Sequence, residues 1–146
     1  MAQLEHLAKL TRIVAGPLEE SEESYRIGDL AREFDVTLRT LRFYEDRNLI
    51  HPTRIGSTRL YSSSDRARLQ FIMLAKQVGF SLVEIQELMS IYDDYQNLDD
   101  PISMVIDKFS RQMDVLSEQK SDLDTAMTKL RDSLAKLKAI QRDARN

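Results

Sequence analysis

The stretch Leu38–Arg59, LRTLRFYEDRNLIHPTRIGSTR, gathers five arginines against two acidic residues in a chain whose net charge is −3. Wound as a helix, its first half has two sides. Leu38, Leu41 and Asn48 fall on one, with Glu45 near them. Arg39, Thr40, Phe43 and Arg47 fall on the other, flanked by Arg42. The apolar side is expected to hold the helix against a core. Thr37 is a good N-cap, and Val36 before it can staple onto Leu41. Upstream, YRIGDLAREFDV places Leu30, Ala31 and Phe34 on one face of a helix about two turns long. About three residues separate the two helices, the spacing of a helix-turn-helix.

The second half reads as a wing. LIHPTR and TRLYS are short β-type segments, and IGST between them is a hairpin turn in which Gly56 is free to take positive φ. Pro52 lacks an amide donor and belongs at an edge. Arg54 and Arg59 flank the turn, with Tyr61 two residues further on. Guanidiniums grip phosphates or read guanine edges, and threonine meets a base edge or a thymine methyl. A helix N-terminus adds partial positive charge. The pattern on two adjacent elements points to double-stranded DNA.

Charge along the chain agrees. Tyr25–Phe80 holds ten basic and six acidic residues; residues 1–24 hold two and five, and residues 81–146 nine and thirteen. A positive middle between negative ends suits a polyanion partner. Residues 1–24 include LEHLAKLTRIV, either a short amphipathic helix or a tail, then Gly16, Pro17 and an acidic linker.

Beyond the wing, Ser62-x-x-Asp65 and Ser81-x-x-Glu84 resemble capping boxes opening two further helices, and Gly79 ends the first of them. After the break YQNLDDP, apolar residues recur in steps of three and four. They are Ile102, Ile106, Phe109, Met113, Leu116, Leu123, Met127, Leu130, Leu134 and Leu137. About 43 helical residues are roughly 65 Å long, and a lone helix cannot bury such a stripe, so it calls for a partner. Lys120 in the seam favours an antiparallel pair, in which it avoids its own copy. The expected organisation is an extension (1–24), a winged helix-turn-helix domain (25–95) and a dimerisation helix (101–143).

Hydrophobic residues make up 42% and charged residues 31%, suiting a soluble chain with a modest core. There is no cysteine, which removes disulfides, thiolate metal sites and cysteine nucleophiles. His6 and His51 are the only histidines. No phosphate loop, metal spacing or Ser/His/Asp constellation is present, so no enzyme, metal or cofactor is expected. His51 is expected on the surface. No apolar run approaches a membrane span and no signal peptide is apparent, so the expected location is cytoplasmic, at the nucleoid.

The blocks YRIGDLAREFDV, TLRFYEDRNLI, TRLYSSSDRARL and GFSLVEI, in this order, closely resemble the MerR family of winged helix-turn-helix transcription regulators. The resemblance covers about Tyr25 to Leu88. It implies a homodimer joined by an antiparallel coiled coil, two winged domains on a pseudo-palindromic promoter site, and regulation by bending and untwisting the DNA for RNA polymerase. It places Arg39 and Thr40 at the major groove and Arg42 and Tyr44 on backbone phosphates. Phe43 stands where many members carry tyrosine. Arg54, Arg59 and Tyr61 match phosphate-gripping wing positions, and Thr37 joins this DNA-facing set. The family's cysteine-based inducer sites have no counterpart here, nor does its C-terminal drug-binding domain. The GFSLVEIQELMSIYDD stretch looks most like the subgroup associated with leucine, isovalerate and fatty-acid catabolic genes. The alternative is an architectural or excisionase-like DNA binder without promoter regulation.

Overall fold

The computed structural model describes residues 24–146; the expected N-terminal helix and linker lie outside them. The chain divides into two compact units, one ending at Val105 and the other spanning Ile106–Asn146. The described elements run β1 (Ser24–Arg26), α1 (Ile27–Glu33), α2 (Leu38–Asp46), β2 (Thr53–Ile55), β3 (Thr58–Ser62), α3 (Ser63–Gln77), α4 (Leu82–Asp93) and α5 (Pro101–Arg145).

Helix starts follow the sequence signals. Thr37 accepts a hydrogen bond from the Thr40 N–H at 3.1 Å. Ser62 and Asp65, and Ser81 and Glu84, form reciprocal capping boxes. Helix ends are more uniform than glycine placement suggests. Phe80 N–H donates to the Ala75 carbonyl at 3.0 Å and Gly79 N–H to Lys76 at 3.1 Å, with Gly79 at φ 90°. The same double closure ends α2, where Leu49 and Asn48 donate to Tyr44 and Glu45, both at 2.9 Å. It also ends α1, where Val36 and Asp35 donate to Ala31 and Arg32. The left-handed residues there are Asn48 (φ 57°) and Asp35 (φ 51°), short polar side chains that tolerate that region. These closures make the turn of the helix-turn-helix sharp.

The wing is part of a three-stranded antiparallel sheet ordered β1-β3-β2. Arg54 pairs with Arg59 across the hairpin, and Tyr25 with Tyr61 on the other edge. The strand β1 was not expected. At three residues it is too short to show alternation, and its partner β3 specifies it.

The core of the first unit holds Leu30, Leu41, Ile50, Tyr61, Leu69, Phe71, Ile72, Leu88 and Tyr92, each at most 1% exposed. The Phe71 and Tyr92 rings lie 5.6 Å apart. Three polar residues of α3 are buried with them and bind its neighbours. Asp65 accepts the His51 N–H at 3.0 Å, tying the chain after α2 to the start of α3. Arg66 donates through Nε to Glu33 at 2.8 Å, joining α3 to α1. Arg68 donates through Nε to the Leu49 carbonyl at 2.8 Å and pairs with Asp93 of α4.

The second unit lies within α5, one unbroken helix of 45 residues from Pro101 to Arg145. Ile106, Met113, Leu116, Leu123, Met127, Leu130, Leu134 and Leu137 are exposed along it, as is Ile102 on its first turn; Phe109 is half-buried. No described helix is long and apolar enough to cross a membrane.

Candidate nucleic-acid interface

Helix α2 presents the face its sequence implies. Arg39, Arg42, Phe43 and Arg47 are exposed, and Thr40 is half-buried. Thr37 and Thr40 share a hydrogen bond between their hydroxyls at 2.9 Å, which orients both at the helix start. The Arg47 guanidinium lies over the Phe43 ring, 4.1 Å from its centroid. This i, i+4 stack was legible in the spacing but not read from it. It holds a cation on the outward face without neutralising it.

The buried side of α2 differs from expectation at three residues: Leu38 and Asn48, set on the apolar side of the wheel, are exposed, and Tyr44 is buried. Leu38 is 41% exposed, because the buried arc centres on Leu41 and Tyr44 and the first turn stands at its edge. Tyr44, expected at a phosphate, is 3% exposed, with its hydroxyl buried and unpaired among the described residues. Tyr61, expected on the wing surface, is fully buried. Tyr61 is the one buried residue of β3, paired in register with Tyr25 of β1, which is buried too. Burial, and then the charge of Glu45, push the Tyr61 phenol up to about 12.

The wing arginines are placed by an acidic residue. Glu45 leaves α2 toward the hairpin and accepts from Arg54 Nη2 at 2.9 Å and Arg59 Nε at 2.7 Å. Burial pushes its carboxyl up, but the two hydrogen bonds and the adjacent positive charges outweigh this and hold it below the usual carboxylate range. The arginines of this unit therefore fall into distinct sets. Arg66 and Arg68 are buried and structural, and Arg32 pairs with Asp29. Arg54 and Arg59 share one carboxylate. Arg39 and Arg42 make no ion pair among the described residues. The excess positive charge of the middle segment is thus concentrated on the outer face of α2. His51 is exposed beside the wing. Among the described residues no group of three metal-ligating side chains occurs.

A helix-turn-helix with a sheet wing and an unneutralised arginine face on its second helix defines a winged helix-turn-helix DNA-binding module. The family model of the MerR HTH family regulatory proteins matches residues 25–91, and that of MerR, DNA binding, matches residues 66–140. The chain belongs to the MerR family. It is 51% identical over 69 residues to the HTH-type transcriptional regulator ZntR of Escherichia coli strain K12, covering 46% of this chain and 49% of that protein. The chain thus spans about half the length of the curated relatives it matches. A MerR-family transcriptional regulator from Bacillus cereus superposes with a TM-score of 0.58 at 30% identity, covering 72% of this chain and 75% of the other. PbrR691 from Ralstonia metallidurans CH34, solved with lead(II), gives 0.59 at 26% identity, covering 74% and 83%.

Proposed function

We propose that this chain is a homodimeric, sequence-specific transcription regulator that binds a pseudo-palindromic promoter site and acts by bending and untwisting the DNA. The observation that carries the proposal is the outer face of α2, where Arg39, Arg42 and Arg47 stand exposed without a carboxylate partner among the described residues while most arginines around them are paired. Arg39 and Thr40 would probe base edges in the major groove. Arg42 and Arg47 would hold the backbone of one strand, and Arg54 and Arg59 would reach phosphates from the wing. Phe43 would meet the sugar-phosphate edge beside Arg47. Thr37 would present the start of α2.

Dimerisation rests on the exposed stripe of α5, and its charge pattern supports an antiparallel pair. Residues 106–128 carry five acidic and three basic side chains, whereas residues 129–145 carry six basic and two acidic. Antiparallel chains set the basic end of each against the acidic half of the other, and parallel chains set like on like. The proposed organisation is an extension (1–24), a winged domain that binds DNA (25–95) and the dimerisation helix (101–143). Pairing through a long dimerisation helix favours a regulator over an architectural coat, which needs no set half-site spacing. RNA polymerase on the same promoter is the further partner. The proposed location is the cytoplasm, at the nucleoid, with no catalytic activity. Titrating labelled duplexes drawn from a random pool tests this. The reading expects saturable binding of two chains to an inverted repeat with steep salt dependence; extended cooperative coating would favour the architectural alternative.

A further inference from the structure

We infer that Glu45 is a positioning residue for DNA binding: its carboxylate presets both wing arginines in the free protein so that their remaining N–H groups are available to phosphate. The inference rests on the DNA-binding reading above and assigns a favourable role to an acidic residue within the interface.

The geometry is specific. Glu45 sits on the side of α2 nearest the wing, with its side chain only 16% exposed. Each carboxylate oxygen takes one arginine, Oε1 from Arg54 and Oε2 from Arg59. The two arginines are direct cross-strand partners, one from each arm of the hairpin. One side chain of the recognition helix therefore clasps both wing strands. Arg59 spends only Nε on this contact and Arg54 only one Nη2 hydrogen, so each keeps most of its five donors uncommitted. A guanidinium can be held from behind by a carboxylate while its outer edge receives a phosphate. Without the clasp, two long side chains on a short hairpin would have to be ordered at the moment of binding, at a cost in rotamer freedom. Two residues along the same strand as Arg59, Tyr61 is fully buried, which anchors that strand.

The sign of one substitution separates this role from plain electrostatics. Glu45→Gln removes a negative charge from a surface facing a polyanion, so charge alone makes binding tighter. Positioning makes it weaker, by about tenfold, the scale of one charge-assisted contact. The assay titrates a mixed-sequence DNA duplex with the full chain and with Glu45→Gln, Arg54→Ala/Arg59→Ala and the triple variant. The expected result is weaker binding by Glu45→Gln in the wild-type background and no further loss once both arginines are gone. Equal or tighter binding by Glu45→Gln overturns the inference, and so does an equal loss in the arginine-free background. A measurement on the wild-type chain is independent of how the variants fold. The Arg59 Nε–H resonance should be protected from exchange in the free protein, and the Glu45 side-chain carboxyl carbon resonance should keep its paired position on the duplex; its move to the position of an unpaired carboxylate on binding would mean that phosphate displaces Glu45, and would overturn positioning. If the wild-type chain binds no duplex while its Arg59 Nε–H is protected, the DNA-binding reading itself fails.

Discussion

Replacing Arg42 with alanine should change the salt dependence of DNA binding by a predictable amount. On the proposed reading each winged domain offers Arg42, Arg47, Arg54 and Arg59 to phosphate, so a dimer offers about eight contacts; at roughly 0.9 per contact the slope of log K against log salt is near −7. Arg42→Ala removes one contact per domain, making the slope shallower by about 1.8 and weakening binding by about 2 kcal/mol, roughly thirtyfold, on all sequences. Arg54→Ala should change the slope less, because Glu45 already neutralises half the charge of the wing pair. The assay is fluorescence anisotropy on one duplex across a salt series. Arg42 is exposed and makes no ion pair among the described residues, so unfolding should shift by no more than about 0.5 kcal/mol. An unchanged slope for Arg42→Ala, or equal changes for Arg42→Ala and Arg54→Ala, would refute the assignment of α2 as the main phosphate-binding element.

Other perturbations test the scaffold. Asn48→Ala should lower stability by about 1 kcal/mol, because Asn48 holds φ 57° at the end of α2, whereas Asn48→Gly should not; urea midpoints distinguish them. Arg68→Ala should cost about 2 kcal/mol by removing the buried donor of the Leu49 carbonyl and the link from α3 to Asp93, read from the same melts. Glu45 is held below its usual range, so its stabilisation is full above the unfolded-state value and is lost as pH falls through the lower folded one. Glu45→Gln should accordingly flatten the acid limb of a stability-against-pH curve in the region below the usual carboxylate range. Leu130→Asp in the α5 stripe should convert dimer to monomer in sedimentation, with a concentration-dependent loss of helicity.

Much of this architecture was legible before any coordinates. Ser62 with Asp65, Ser81 with Glu84, and Gly79 mark helix ends by local hydrogen-bond chemistry, which a sequence states directly. The heptad stripe of α5 is equally local. What was not legible depends on pairing across the chain. β1 exists because β3 offers it an edge, and Tyr61 of β3 is buried in register with Tyr25 of that strand. Leu38 and Asn48, on the apolar side of the wheel, are exposed, since a helical wheel gives the angle between residues but not where the core begins or the helix ends; Tyr44, which the family resemblance set at a phosphate, is buried. Arginine identity alone did not separate Arg66 and Arg68, which bind neighbouring elements, from Arg39 and Arg42, which face outward. The positions of Glu33, Asp93 and the Leu49 carbonyl divide them.

The central claim is that two copies of this chain, joined through α5, read one symmetric site with the outer faces of their two α2 helices. Genome-wide footprinting of the protein on its own chromosome tests it most directly. The account predicts compact footprints over inverted repeats between promoter elements, lost with Arg39→Ala and Arg42→Ala. Broad protection without symmetry, or footprints unaffected by those substitutions, would contradict it.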